Sequence, residues 1–385
     1  MMLTSKKMLI FLSVYALLGI IALAPVATVS ASGEQFQLKW AIESSTVPSL
    51  GWGIAVKGNT VFVAGSAFNG QTGVTNVLLE AYNTKGQYLW QTLFGGSNEC
   101  VGTAISTSLG GLFVVGNTVN NGNPDKALLV KFSNDGQPKW SKTWGVGLAD
   151  AATAIAVTYD AVYVVGYSMT PSGYLDIFLS KFSIFGTCLW TKTWGGSYDD
   201  VPSGVAVDLL SNVYVVGLTN TTEYGGTQGF LLKFNCFGSL KDSTSWGRIY
   251  DFATAVAIDG NRIYVSGGSL IGFNLQAVLI AFDKNLDEQW STSWGDEGED
   301  IPTNIAIGTG DRIYVVGVTT SFGTGDWDSF LLKFNSKGSA KSSTSWGNAG
   351  LDDFGNGIAV DCGIIYVAGY TNYQLPILTL AAFRS

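Results

Sequence analysis

One short segment recurs seven times along the chain: an aromatic residue, Val, a small or apolar residue, then Gly. The copies are Phe62–Gly65, Phe113–Gly116, Tyr163–Gly166, Tyr214–Gly217, Tyr264–Gly267, Tyr314–Gly317 and Tyr366–Gly369. Their glycines stand 51, 50, 51, 50, 50 and 52 residues apart. A fixed period of that size in 385 residues means one array of equivalent units, not the two or three domains that length alone would allow.

Each unit contains four β-like segments, shown most plainly by Thr153–Val157, Val162–Gly166, Ile177–Phe182 and Leu189–Trp194. Turn residues such as Pro171, Gly173 and Gly186 separate them, which reads as an antiparallel blade. Helical periodicity is absent. In the first segment large residues (Ile155, Val157) alternate with small ones (Ala154, Ala156), as blades converging near an axis require. The last segment carries the bulk, with Trp90, Trp140, Trp190 and Trp290 at one position and Trp144, Trp194, Trp246, Trp294 and Trp346 at another. Large rings fill the gap where blades splay. The fold class is therefore all-β, a seven-bladed β-propeller.

The units run approximately over 51–94, 101–144, 152–194, 203–246, 253–294, 303–346 and 356–384, within one domain spanning 36–385. The seventh unit stops at Phe383 without an outer strand, and residues 36–45 carry the missing one, Trp40 matching Trp90. Pairing the chain ends in this way leaves no open sheet edge. Before it, Lys6 and Lys7, an apolar run from Met8 to Leu23, and Val29-Ser30-Ala31 read as a secretory signal over 1–31, or as an uncleaved anchor. Both readings put the propeller outside the cytoplasmic membrane, secreted or at the cell surface, with any membrane contact made by this segment.

Asp-x-x-small-x-Ile-Ala-Val, Tyr-Val-Val-Gly, Phe-Leu-Leu-Lys-Phe-Asn and Trp-x-x-Thr-Trp-Gly together resemble the β-propeller repeat family called SBBP. The resemblance covers all seven units and implies an exported or surface protein without a common assigned activity. Ala81–Trp90 is also similar to the tryptophan-docking repeat of quinoproteins, where the motif holds blades together. No adjacent Cys pair exists and seven units are one short of the usual eight, so no quinone site is implied.

Composition removes several chemistries. With no His, neither Ser-His-Asp nor Cys-His catalysis nor His-liganded zinc can operate. A net charge of -8 disfavours nucleic acid as a partner. Four arginines, scattered over both faces and the tail, cannot form a sialidase-like cluster. The four cysteines fall in positions too far apart for bridges and are expected to be mostly buried free thiols.

Propeller topology places the inter-blade loops and the loops between second and third strands on one face. That face collects the acids: Glu99, Asp150, Asp200, Asp251, Asp300 and Asp353 at one recurring position, with Asp199, Asp296, Glu297, Glu299 and Asp352 beside them and Asp125, Glu223 and Asp326 in the sister loops. The recurring acid caps backbone N–H groups of its own loop, or forms a ring that binds a cation or a basic partner. Asp296, Glu297, Glu299 and Asp300 are hard oxygen ligands suited to Ca²⁺, without EF-hand spacing. Two tryptophans are out of register on this face, Trp52 and Trp327, with Tyr198, Tyr224, Tyr250 and Tyr373 in nearby loops. No spacing singles out a catalytic residue. The expected function is non-catalytic recognition of a surface protein, glycan or cation through this acidic, aromatic-bearing face. The alternative is a carbohydrate-active enzyme using a carboxylate pair of the same face.

Overall fold

A computed structural model describes residues 35–44, 48–119, 124–220, 226–247, 250–324, 327–373 and 375–385. Segment 1–31, Thr221, Thr222, Glu223, Tyr224, Arg248, Asp326 and the Tyr373 side chain lie outside the described residues. The rest form 28 strands, β1 to β28 in chain order, arranged as seven four-stranded antiparallel sheets.

Six sheets are built from consecutive strands, the first from β2 (Ser49–Lys57), β3 (Thr60–Asn69), β4 (Val74–Asn83) and β5 (Tyr88–Phe94). The seventh is ordered β1-β28-β27-β26 and combines β26 (Asp352–Asp361), β27 (Ile364–Tyr373) and β28 (Leu375–Arg384) with β1 (Gln37–Glu43). Leu38 pairs with Phe383 and Trp40 with Ala382, so the first strand of the chain closes the last blade. Phe36 packs against Tyr314 and Phe383, and Trp40 against Tyr366.

The apolar core is divided among the seven seams between blades, one buried cluster at each. A register shift in every inner strand isolates one residue per blade: Trp52, Thr103, Thr153, Ser203, Thr254, Thr303 and Asn356. These bulges bring the first strand's carbonyl against the signature glycine of the second. A Cβ on Gly116 would lie 1.8 Å from the Val101 oxygen, which is why every copy of the repeat ends in Gly.

Several bulge side chains also tie neighbouring blades together. Thr103 donates to the Ala152 carbonyl (2.9 Å), Ser203 to Ala253 (2.8 Å) and Asn356 Nδ2 to Gly51 (2.8 Å). Trp52 has no such hydroxyl. At that seam Ser66 takes over, donating to the Gly102 carbonyl and accepting from its N–H.

Tryptophan docking accounts for the outer rings. Gly86, Gly136, Gly186, Gly238 and Gly338 have φ between +77° and +87°, and each lies under an indole of the preceding blade: Trp40, Trp90, Trp140, Trp190 and Trp290. Three of these indole N–H groups donate to carbonyls of the docked turn, at Thr84, Cys236 and Ser336. Each of the two exceptions is matched by a change in the blade it faces. Asp242 replaces the Trp on blade four, and the facing turn replaces Gly with Leu286, buried and at φ 62°. Ser342 replaces it on blade six, where the facing blade is closed by the chain's first strand and so has no third-to-fourth-strand turn.

All four cysteines are free, but only Cys100 is buried. Cys188 and Cys362 are exposed because one opens an outer strand beside a turn and the other occupies a tight turn at φ 48°.

Candidate functional site

The recurring aspartates point inward. Asp150, Asp200, Asp251, Asp300 and Asp353 are all buried where their inner strands begin. Asp150 accepts from the N–H groups of Val146 (2.9 Å) and Gly147 (3.2 Å) and pairs with Lys126 (3.0 Å). Asp300 accepts from Asp296 N–H and from the hydroxyls of Thr319 and Ser321. Asp353 accepts from Asn348 N–H and the Thr371 hydroxyl. The carboxylate at this position fastens the inter-blade loop to its own blade; Glu99, at the sixth copy, is half-buried.

Burial pushes the Asp353 carboxyl up to about 6, against the lowering effect of its two donors, and the charges of Asp328 and Glu43 add to the rise. Burial likewise raises Asp300 and Asp200. A carboxyl that binds its proton more tightly folded than unfolded favours the native state most below pH 4, and that contribution is lost as pH rises through 6. For Asp353 it amounts to about 3 kcal/mol. Asp353→Asn should therefore melt with a shallower dependence on pH between 4 and 7 than the wild type, by about 4 °C over that interval. Parallel melting curves for the two proteins would refute the assignment.

Both out-of-register tryptophans are half-buried. Trp52 meets Tyr370 edge to face at 5.9 Å, and with Trp327, Leu50, Phe252 and Leu275 it rests on a buried cluster of Ile301, Val318, Phe354 and Tyr370. This apolar crescent spans blades five, six, seven and one near the axis. The solvent-facing aromatics lie elsewhere on the face. Tyr174 and Tyr198 form an edge-to-face pair at 5.8 Å on blade three, and Tyr250 and Phe273 stand out from neighbouring loops. Asp296, Glu297 and Glu299 are exposed while Asp300 turns inward, so these four do not converge. Among the described residues no three carboxylates or thiols meet in a metal-binding group.

Sequence reading missed Tyr174 and Phe273. Phe273 carries a local signal, an aromatic residue beside Gly272 (φ 70°) in a two-residue turn that needs no bulk. A cavity of about 160 Å³ at the flank of blade five also went unforeseen. Val278 stands there where Phe178, Phe230 and Phe330 fill blades three, four and six, and the space is bounded by Trp246, Asp251 and Phe252. On the opposite face the turns of blades two to four present Leu109, Tyr159, Phe185, Leu209, Leu210 and Phe237, each at least 75% exposed.

Residues 185–225, running from the outer turn of blade three into blade four, match the family model described as SBBP, beta-propeller repeat. This segment is similar to an SBBP repeat. The SBBP pattern and the seven four-stranded sheets agree on the unit that the chain repeats. Among solved structures the chain is similar to "the beta-propeller domain of the Trilobed protease from Pyrococcus furiosus". Identity is 13% and the TM-score 0.49, over 89% of this chain and 94% of that one. No curated protein sequence matches it.

Proposed function

We propose that this propeller is an exported, non-catalytic recognition scaffold. Its working surface is the outer part of the acidic face, where Tyr174 and Tyr198 form an exposed aromatic platform. The platform carries the reading because both rings are exposed while they pack edge to face, and paired amphipathic rings suit a sugar face or a basic protein segment. The exposed acids Asp296, Glu297 and Glu299 in the loop between blades five and six favour a basic or polyhydroxylated ligand on this face. The inward-pointing aspartates support a binding role over glycoside hydrolysis, which needs two available carboxyl groups roughly 5–9 Å apart across a substrate.

The test is a glycan array and a surface-protein pull-down with the wild type, Tyr174→Ala/Tyr198→Ala and Glu297→Gln/Glu299→Gln. A ligand held by the platform should lose at least about tenfold in affinity with the tyrosine pair replaced. Equal binding by all three proteins would exclude this surface, and turnover of a captured glycan would exclude the non-catalytic reading.

A further inference from the structure

Six of the seven seams meet a common electrostatic problem. At each of these the acid that opens the inner strand of one blade stands across the seam from the residue two positions before the Phe, Leu or Val that pairs with the signature glycine in the preceding blade's third strand. At the seam of blades two and three that side chain is Lys126, and its ammonium lies 3.0 Å from Asp150. Amides stand there at three others: Asn76, Gln228 and Gln276. Blades six and seven set Asp328 against Asp353, but loop donors serve both carboxylates: Thr324 N–H at 2.6 Å on Asp328, Asn348 N–H and Thr371 on Asp353.

Blades three and four differ. Asp176 takes the Lys126 position and faces Asp200, so two carboxylates stand where the equivalent seam holds an ion pair. Asp200 is fully buried, and only its Oδ2 has a close backbone donor, the N–H of Gly196 at 2.8 Å. Three buried oxygens remain without a hydrogen-bond partner among the described residues: Asp176 Oδ1, Asp200 Oδ1 and Asn220 Oδ1. Asn220 directly follows Thr219, which pairs with Asp200 across the inner strands. The Asn220 backbone N–H donates to the Asp199 carbonyl at 2.9 Å, which sets Asn220 beside the residue that precedes Asp200. Nearby Asp199 is engaged through Oδ1 with the N–H of Leu175.

Asp200 keeps donors in the Gly196 N–H and the Thr219 side chain, but buried polar atoms are rarely left unpaired, and two facing carboxylates that each keep an oxygen without a partner favour a positive charge between them. We infer that the seam between blades three and four binds a divalent cation of the Ca²⁺ type through Asp176, Asp200 and the Asn220 carbonyl oxygen. The ion does there what the Lys126 ammonium does one seam earlier. Two carboxylates and one amide oxygen are hard ligands, and water completes the six to eight oxygens that Ca²⁺ takes. This seam is separate from the exposed Asp296–Asp300 loop, and it ties the Tyr198 loop to blade four.

The experiment is thermal melting of the full chain with Ca²⁺, with Mg²⁺ and with a chelator, for the wild type, Asp176→Asn, Asp176→Lys and Asn220→Ala. Ca²⁺ at about a hundredfold excess over its dissociation constant should raise the wild-type midpoint by about 3 °C or more. Asp176→Asn should lose that shift and Asn220→Ala should need more Ca²⁺ to reach it. Asp176→Lys, which rebuilds the Lys126–Asp150 pair at this seam, should match the Ca²⁺-loaded wild type in chelator and ignore added metal. A wild type that responds to neither cation while its midpoint falls steeply with rising pH would show that the pair shares a proton, and would overturn the inference. So would a full Ca²⁺ shift retained by Asp176→Asn.

Discussion

Deleting residues 36–43 should lower the melting midpoint by roughly 7–15 °C. The strand β1 is the outer strand of blade seven, and no other segment can take its place on β28. Its loss removes a ladder of six paired positions, strips the indole of Trp40 from Tyr366 and Gly86, and withdraws Phe36 from Tyr314 and Phe383. Phe36 and Trp40 are half-buried, so truncating each costs somewhat less than the roughly 3–5 kcal/mol of a fully buried aromatic, and with the unpaired sheet edge the loss is about 5–10 kcal/mol. At about 2.1 cal/mol/K per residue of unfolding entropy, a ring of this length converts that loss into the stated shift. Differential scanning calorimetry decides it: an unchanged midpoint would mean that closure of the ring does not depend on this strand.

Gly116→Ala should destabilise the chain by at least about 3 kcal/mol, with a large loss of soluble protein on expression. The added methyl would lie 1.8 Å from the Val101 oxygen and 2.8 Å from its carbon, both backbone atoms held by the inner-strand bulge. Neither can withdraw without breaking the pairing of Gly102 with Gly116, so the strain is relieved only by separating two central strands. Gly58→Ala is the matching control: it sits in a surface turn with nothing within 4 Å of the added methyl, and should cost far less despite its φ of +60°. Urea denaturation of the two variants compares them directly. Equal stability would show that the signature glycine is not there for the bulge.

The tryptophan rings illustrate what could be read directly. Trp90, Trp140, Trp190 and Trp290 recur at one spacing and Gly86, Gly136, Gly186, Gly238 and Gly338 at another, and the structure joins them across seams. The pairing of Asp242 with Leu286 is visible in the sequence too, but its meaning requires knowing that the two positions face each other. Trp52 was legible as an exception to a row of Thr, Ser and Asn. Its tolerance depends on Ser66 of the adjoining strand, which no spacing announces.

The candidate site was less legible, because an acidic residue opening a strand can turn toward solvent or toward its own loop with equal ease. Donors contributed by segments up to 24 residues away decide between the two: Lys126 for Asp150, and Thr319 and Ser321 for Asp300. The aromatic platform was half visible, since Tyr198 lay in a loop that the repeat assigned to the acidic face. Its partner Tyr174 comes from the same blade's other loop and joins it only in three dimensions.

Taken by itself, the sequence determined the number of blades, the four strands in each, and the closure of the ring by its own first strand. Those properties follow from period and pattern, which are additive along a chain. Only the tertiary structure decided which carboxylates are buried, which aromatic rings reach water, and that Asp176 confronts Asp200 where Lys126 neutralises Asp150. Such facts depend on side chains from adjacent blades meeting at a seam, where a single change of charge at one position alters what its neighbour requires.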